Sequence, residues 1–187
     1  MVASFLLGEL SSERFGPAIR DLLVAMGEPD ELLIQPDLDD ARANEARAGV
    51  LAATRGYGED RELFEFFPSH VRWVHALLAP GELARVRYIE YSYWNEISGG
   101  SRLPADAATR IRAGVEAFGV PNERFFAAAE AVTRGERFPP LILAGVSVDD
   151  VVCLEGNLRL TGYALEGFPV DVECIVGIDP GLGRWAQ

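Results

Sequence analysis

The chain of 187 residues contains no lysine, so all 17 of its basic residues are arginines. Without lysine, the protein cannot form a Schiff base, use an amine nucleophile or grip a phosphate as the lysine of a P-loop does. This absence excludes the P-loop kinases. Any phosphate grip must come from arginine, backbone N–H groups or a metal ion, whether or not codon preference is the cause of the arginine bias.

Histidine and cysteine are nearly as scarce, with two residues of each. His70 and His75 are five positions apart, which fits neither a helical pair nor a zinc signature, and both cysteines are distant in sequence. Cys153 and Cys174 lie in apolar runs typical of strands. We expect buried, reduced thiols rather than a disulfide, because a chain of this size can build a core without one. No Gly-x-Ser-x-Gly elbow indicates a serine hydrolase.

Long apolar runs and an excess of positive charge are also missing. No window approaches 18 uninterrupted apolar residues, and no basic segment precedes the short apolar run at the N-terminus. We therefore expect neither a membrane span nor a secretory signal, and a cytoplasmic location. The net charge of −12 and the pI near 4.6 argue against nucleic acid as a partner and favour a small ligand. The oligomeric state is left open.

Hydrophobic periodicity and turn residues predict an α+β fold. Helices are expected at residues 11–26, 39–54, 103–118, 122–133 and 158–165, with a short one from Pro80, and strands at 71–77, 141–144, 151–154 and 170–176. Residues 88–97 fit either element. The pattern changes at 135–140, from a mainly helical part (1–137) to a β-rich part (138–187). Because fifty residues would form a marginal domain alone, we expect one domain with helices packed over a small mixed sheet.

The segment from Leu154 to Ala164 carries the main functional signal. An apolar strand ends at Glu155, Gly156 allows a sharp turn, and a helix follows with Arg159 in its first turn. Free backbone N–H groups, the positive end of the helix dipole and a guanidinium would converge there on an anion. Asn157 stands where a helix cap belongs, and Glu155 could hold a metal ion or accept a proton.

Two alternatives accompany this interpretation. In a structural one, Asn157 only caps the helix, and Glu155 and Arg159 satisfy each other as an ion pair. A second cluster, residues 93–102, contains glycines flanked by Ser98 and Arg102, which could form a lid or a further substrate contact. The same residues also fit an ordinary loop that leads into the helix after Pro104.

Residues 138–177 resemble the phosphate-gripping core of the ParB/sulfiredoxin superfamily. Members carry a strand, then a Gly-x-x-Arg or an acidic-Gly-His-His-Arg-Leu-x-Ala motif, then a helix and a further strand. Glu155, Gly156, Arg159 and Leu160 match, whereas Gly162 stands in place of the usual alanine. Residues 168–172 resemble the strand that closes the motif. Sulfiredoxin places its catalytic cysteine directly after the glycine and free-serine kinases place two histidines there, whereas this chain has Asn157 and leucine. The Glu-Arg-Arg set and helix-turn-helix of DNA-partitioning ParB proteins are not evident either.

The resemblance implies a nucleotide or phosphate site rather than a particular reaction. The first functional hypothesis is an enzyme that transfers or hydrolyses a phosphoryl group with Mg²⁺ and ATP or another nucleotide, with Glu155 as the catalytic group and Gly156, Asn157 and Arg159 as phosphate ligands. The second is a non-catalytic sensor of a nucleotide or an acidic metabolite, or a protein-interaction domain. Loss of both motif histidines favours the second, and the charge disfavours a nuclease-like role.

Overall fold

The computed structural model describes residues 1–12 and 14–183. Its helices and its five-stranded mixed sheet confirm the predicted α+β class. The chain divides into two compact units, one comprising residues 1–69 and the other beginning at His70. Whether they fold as one domain stays a prediction. In the described ranges, no helix combines the length and the apolar character needed to cross a membrane.

The first unit is helical. Its elements are α1 (Val2–Leu10), α2 (Gly16–Met26), α3 (Glu31–Ile34), α4 (Ala41–Arg55) and a 3₁₀ turn at Glu62–Phe64. The expected second helix is confirmed as α4, capped by the Asp40 carboxylate, which accepts from the Ala43 N–H, and closed by Gly56 with φ +80°. Helix α1 was not foreseen, because its short apolar run has too few polar residues to display a period.

Two arginines of the first unit bind polar groups in its interior. Arg47 is fully buried, and its guanidinium donates to the backbone carbonyls of Leu32 (3.0 Å) and Asp37 (2.6 Å). Arg55 pairs with Glu9, and both side chains are nearly buried. These contacts tie α4 to α3 and α1, so both guanidinium groups have a structural role there.

The second unit contains the sheet and the helices that pack on it. Its elements are β1 (Arg72–Leu78), α5 (Pro80–Leu83), β2 (Arg87–Tyr88), α6 (Ser92–Ser98), α7 (Pro104–Arg112), a 3₁₀ turn at Ala117–Gly119, α8 (Glu123–Thr133), β3 (Leu141–Ser147), β4 (Asp150–Glu155), α9 (Asn157–Leu165), β5 (Val172–Ile178) and a 3₁₀ turn at Pro180–Leu182. The strand order is β1-β5-β3-β4-β2. Strand β5 is antiparallel to β1 and parallel to β3, whereas β4 is antiparallel to β3 and parallel to β2.

Alternating side chains of the central strands form the core of this unit with the helices. Leu141, Leu143, Cys153, Cys174 and Val176 belong to one buried cluster with residues of α6, α7, α8 and α9. Helix α9 packs closely on α8, since a Cβ atom on Gly162 would lie 2.9 Å from the Ala128 Cβ. Glycine at position 162 therefore permits this approach.

Several predicted boundaries need correction. Residues 88–97, which fitted either element, contain the end of β2 and most of α6. Helix α7 ends at Arg112 instead of continuing to residue 118, because Gly114 adopts φ +80° and Phe118 φ +53°, both outside helical geometry. Helix α2 begins at Gly16 instead of residue 11. A short apolar run fits a strand as well as a helix, so residue spacing did not decide between them at residues 88–97. Spacing also indicates that a helix is present more reliably than it locates the first and last residues of that helix.

Candidate functional site

The turn between β4 and α9 has the predicted strand–glycine–helix geometry. Strand β4 ends at Glu155, Gly156 adopts a left-handed conformation with φ +99°, and α9 begins at Asn157. A Cβ atom on Gly156 would lie 2.5 Å from the Leu141 Cδ2 and 2.8 Å from the Arg159 Nη2. Glycine is therefore required here for two reasons, the backbone angles and the close approach of the arginine.

Arg159 lies against this turn and pairs with Glu155. Its guanidinium donates to the Glu155 carboxylate, and each side chain is 11% exposed. The ion pair of the structural interpretation is thus present. It does not decide the functional interpretation, because a guanidinium has five N–H donors and one carboxylate does not occupy all of them.

The first turn of α9 directs its backbone N–H groups toward the same corner. The first bond within the helix joins the Leu160 N–H to the Gly156 carbonyl at 2.8 Å, so the N–H groups before Leu160 precede the helical ladder. Gly156, not Asn157, occupies the cap position, and no side-chain cap is formed. In the described part of the chain, the buried Asn157 Oδ1 has no hydrogen-bond partner. The capping role foreseen for Asn157 is therefore wrong.

Two parallel strands bring a second helix start to this edge of the sheet. Tyr88 of β2 pairs in register with Cys153 of β4, and both strands run toward the helices α6 and α9 that follow them. Ligands of open α/β sheets bind outside the carboxyl ends of parallel strands. The edge beyond β2 and β4 is therefore the natural place for a ligand in this unit.

Arg102 lies beside β2. Its carbonyl accepts from the Tyr88 N–H at 2.8 Å, and its Nη1 is 4.0 Å from the Glu90 Oε2. Burial and the nearby Arg87 guanidinium lower the pKa of Arg102, whereas Glu90 and Asp150 raise it. An arginine stays protonated in proteins, so these contacts keep a poorly hydrated cation next to β2. Its role as a substrate contact stays a prediction.

Ser98 has a different environment. It is the last residue of α6 and is buried. Its hydroxyl donates to the Trp94 carbonyl at 2.6 Å and accepts from the Arg102 N–H at 2.9 Å. The hydroxyl therefore holds the 98–102 loop in place, which favours the loop interpretation of this segment over a direct ligand contact.

A buried hydroxyl pair was missed by sequence reasoning. The Tyr88 Oη lies 2.6 Å from the Thr161 Oγ1, and the Thr161 hydroxyl donates to the Asn157 carbonyl at 2.7 Å. Burial raises the pKa of Tyr88 well above its ordinary value. No motif marks Tyr88, because it stands in the aromatic run whose period was ambiguous.

Both cysteines are buried in strands, as predicted, and both lie under α9. The Cys153 thiol donates to the Glu155 carbonyl at 3.1 Å. Burial raises the pKa of Cys174 to about 12 and raises that of Cys153 well above its ordinary value, although Arg159 lowers both. These thiols remain protonated at neutral pH and are poor nucleophiles.

We therefore expect both thiols to resist modification in the folded protein. At pH 8, Ellman's reagent should react at least ~100-fold more slowly with the folded chain than with the urea-unfolded chain. Since folding raises these pKa values, the stability that the protonated thiols contribute is complete below about pH 8.5 and is lost as the pH rises toward the folded values. Urea denaturation from pH 7 to 11 measures that loss, which should be smaller in Cys174→Ala. Rapid labelling of the folded chain would contradict this assignment.

The residues near the turn do not form a protein-only metal centre. In residues 1–12 and 14–183, no group of three or more His, Cys, Asp or Glu side chains is arranged to hold a metal ion. Because the Glu155 carboxylate is bonded to Arg159, a Mg²⁺ ion at this edge would depend on phosphate oxygens of a ligand for most of its coordination.

Comparison with known proteins identified no relative of the chain. No protein-family model matches the chain, and no curated protein or solved structure is detectably similar to it. The geometry of the β4–α9 turn is therefore the main indication of function.

Proposed function

We propose that the chain binds a small anionic ligand, namely phosphate or the phosphate group of a nucleotide, at Gly156–Arg159. The observation that carries the proposal is the convergence, at one corner, of the left-handed Gly156, the first-turn N–H groups of α9 and the Arg159 guanidinium. Helix N-termini preceded by a glycine turn bind phosphate in many proteins, because the N–H groups and the dipole both favour negative charge.

The Glu155–Arg159 pair orients the guanidinium in this proposal. Glu155 takes part of the donor set of Arg159, and the remaining N–H groups are left for a phosphate oxygen. Glu155 also opposes an incoming anion by charge repulsion. We therefore expect modest affinity, with Arg159 as the essential side chain and Arg102, in the loop beside β2, as a predicted second contact.

Binding without turnover is the version that the geometry favours. A catalytic Glu155 would have to release Arg159 before it could hold Mg²⁺ or accept a proton from a substrate. Phosphoryl transfer with Mg²⁺ and ATP is the second candidate. It is supported by the order of β4, the glycine turn, α9 and β5, which is the order of the ParB/sulfiredoxin core to which we propose to relate this unit.

Thermal stabilisation by ligands tests the proposal. Phosphate, ADP, ATP and CTP, with and without Mg²⁺, should raise the melting temperature of the wild-type chain. At a ligand concentration of 100 Kd, the free energy of unfolding should increase by about 2.7 kcal/mol. Arg159→Gln should lose this response. Arg85→Gln, which changes a 61% exposed arginine of the same unit, should retain it.

The outcomes separate the candidate functions. Stabilisation without phosphate release indicates binding alone, whereas Mg²⁺-dependent phosphate release, lost in Glu155→Gln, indicates the catalytic version. Absence of any response to all four ligands, or an equal response in Arg159→Gln, would contradict a phosphate site at this turn.

A further inference from the structure

We propose that Tyr88 is a positioning residue, whose hydroxyl holds the first turn of α9 through Thr161 in the orientation that receives the anion. The effect on ligand affinity rests on the proposed function. The mechanical part, in which the hydroxyl pair fixes the start of α9, does not.

The hydrogen bonds define a direction. Thr161 has a single hydroxyl hydrogen, which it donates to the Asn157 carbonyl at 2.7 Å. The Tyr88 hydroxyl, 2.6 Å from the Thr161 Oγ1, must therefore be the donor in the other bond. The resulting chain of donors runs from Tyr88 in β2, through Thr161, to the backbone carbonyl of the first residue of α9.

The end point of this chain matters because peptide groups are planar. The Asn157 carbonyl and the Leu158 N–H belong to one peptide plane, so a fixed carbonyl direction also fixes the N–H direction. The Leu158 N–H is one of those that precede the helical ladder. Fixing it before the ligand arrives lowers the entropic cost of binding an anion.

Tyr88 is itself held rigidly. Both Tyr88 and Thr161 are fully buried. The Tyr88 ring stacks on Trp94 with centroids 4.7 Å apart, and its backbone pairs with Cys153 of β4. Burial raises the Tyr88 pKa, so the hydroxyl keeps its hydrogen and remains a donor through neutral pH. The relay thus connects a fixed ring to the turn that would contact the ligand.

Hydroxyl deletion tests the proposal by two independent readouts, namely phosphate affinity by calorimetry and the ¹⁵N order parameter of the Leu158 amide. Tyr88→Phe should weaken phosphate binding by about 2- to 10-fold, the cost of ordering one mobile group on binding, and lower the order parameter from ~0.85 toward ~0.6. Thr161→Val should have the same two effects. The double variant should bind phosphate no more weakly than Thr161→Val does, because both substitutions break the same chain of hydrogen bonds. Thr161→Ser keeps the hydroxyl and should rescue both readouts.

Tyr57→Phe, the same deletion in the first unit, is the matched control and should change neither readout. Tyr88→Phe with wild-type affinity and an unchanged Leu158 order parameter would overturn the proposal, as would additive losses in the double variant. If the wild-type chain does not bind phosphate, the proposed function fails. The Leu158 order parameters of Tyr88→Phe and Thr161→Ser would still test whether the hydroxyl pair fixes the start of α9.

Discussion

Gly156→Ala is expected to lower the free energy of unfolding by about 2–5 kcal/mol. A non-glycine residue in the left-handed region costs about 1–2 kcal/mol, and overpacking adds about 1–3 kcal/mol. Both terms apply, because Gly156 has φ +99° and its new Cβ would lie 2.5 Å from the Leu141 side chain and 2.8 Å from the Arg159 guanidinium. Urea denaturation of the two proteins measures the difference.

Gly167→Ala provides the matched control for backbone strain. Gly167 has φ +72°, and nothing lies within 4 Å of the Cβ that a substitution would add. Its replacement should therefore cost only the backbone part, about 1–2 kcal/mol. Equal losses of stability at Gly156 and Gly167 would mean that Leu141 and Arg159 lie farther from Gly156 than they do in the structure. The close approach of Arg159 to the turn, on which the proposed site depends, would then be wrong.

Arg159→Leu is expected to destabilise the protein by about 2–4 kcal/mol, since it takes the arginine away from a carboxylate that is 11% exposed. Glu155→Gln should cost less, about 1–2 kcal/mol, because a neutral amide can still accept a hydrogen bond from the guanidinium. The double variant Arg159→Leu with Glu155→Gln should lose less than the sum of the single losses. The expected coupling is about 1–3 kcal/mol. Urea denaturation of all four proteins completes the cycle.

The cycle separates the two interpretations of the pair when phosphate binding is measured on the same proteins. Loss of binding in Arg159→Leu, but retention or strengthening in Glu155→Gln, identifies the arginine as the ligand group and the carboxylate as its orienting partner. Additive stability losses would show that the ion pair contributes nothing as a pair. Equal loss of binding in both variants would show instead that the carboxylate itself takes part in the site.

The order of elements around the turn could be predicted because each has a local signal. The apolar run of β4 ends at a charged residue, Gly156 provides the turn, and the helical period of α9 begins directly after it. The end of α4 was predictable for the same reason, since Gly56 stops the helix, whereas its start at Ala41 lies two residues after the predicted one. Neighbouring residues determine the boundaries at Gly156 and Gly56, so these can be predicted from the sequence alone.

The contacts that complete the site depend on pairing between distant segments. Tyr88 meets Thr161 only because β2 lies beside β4, and a strand of two residues leaves no period to detect. Asn157 has typical cap chemistry, but the left-handed Gly156 takes the cap position and leaves the Asn157 Oδ1 buried. Tertiary structure overrides the local preference at both positions, which is why sequence reasoning missed them.

The most direct measurement of the central proposal is an NMR titration of the ¹⁵N-labelled chain with inorganic phosphate, against chloride at equal ionic strength. If the β4–α9 turn holds the anion, the amide signals of Gly156, Asn157, Leu158 and Arg159 shift together along one saturable curve, and the Arg159 side-chain Nε–H signal shifts with them. Chloride leaves all of these signals in place. Shifts scattered over exposed arginines such as Arg85, with the signals of the turn unchanged up to saturating phosphate, would contradict the proposal.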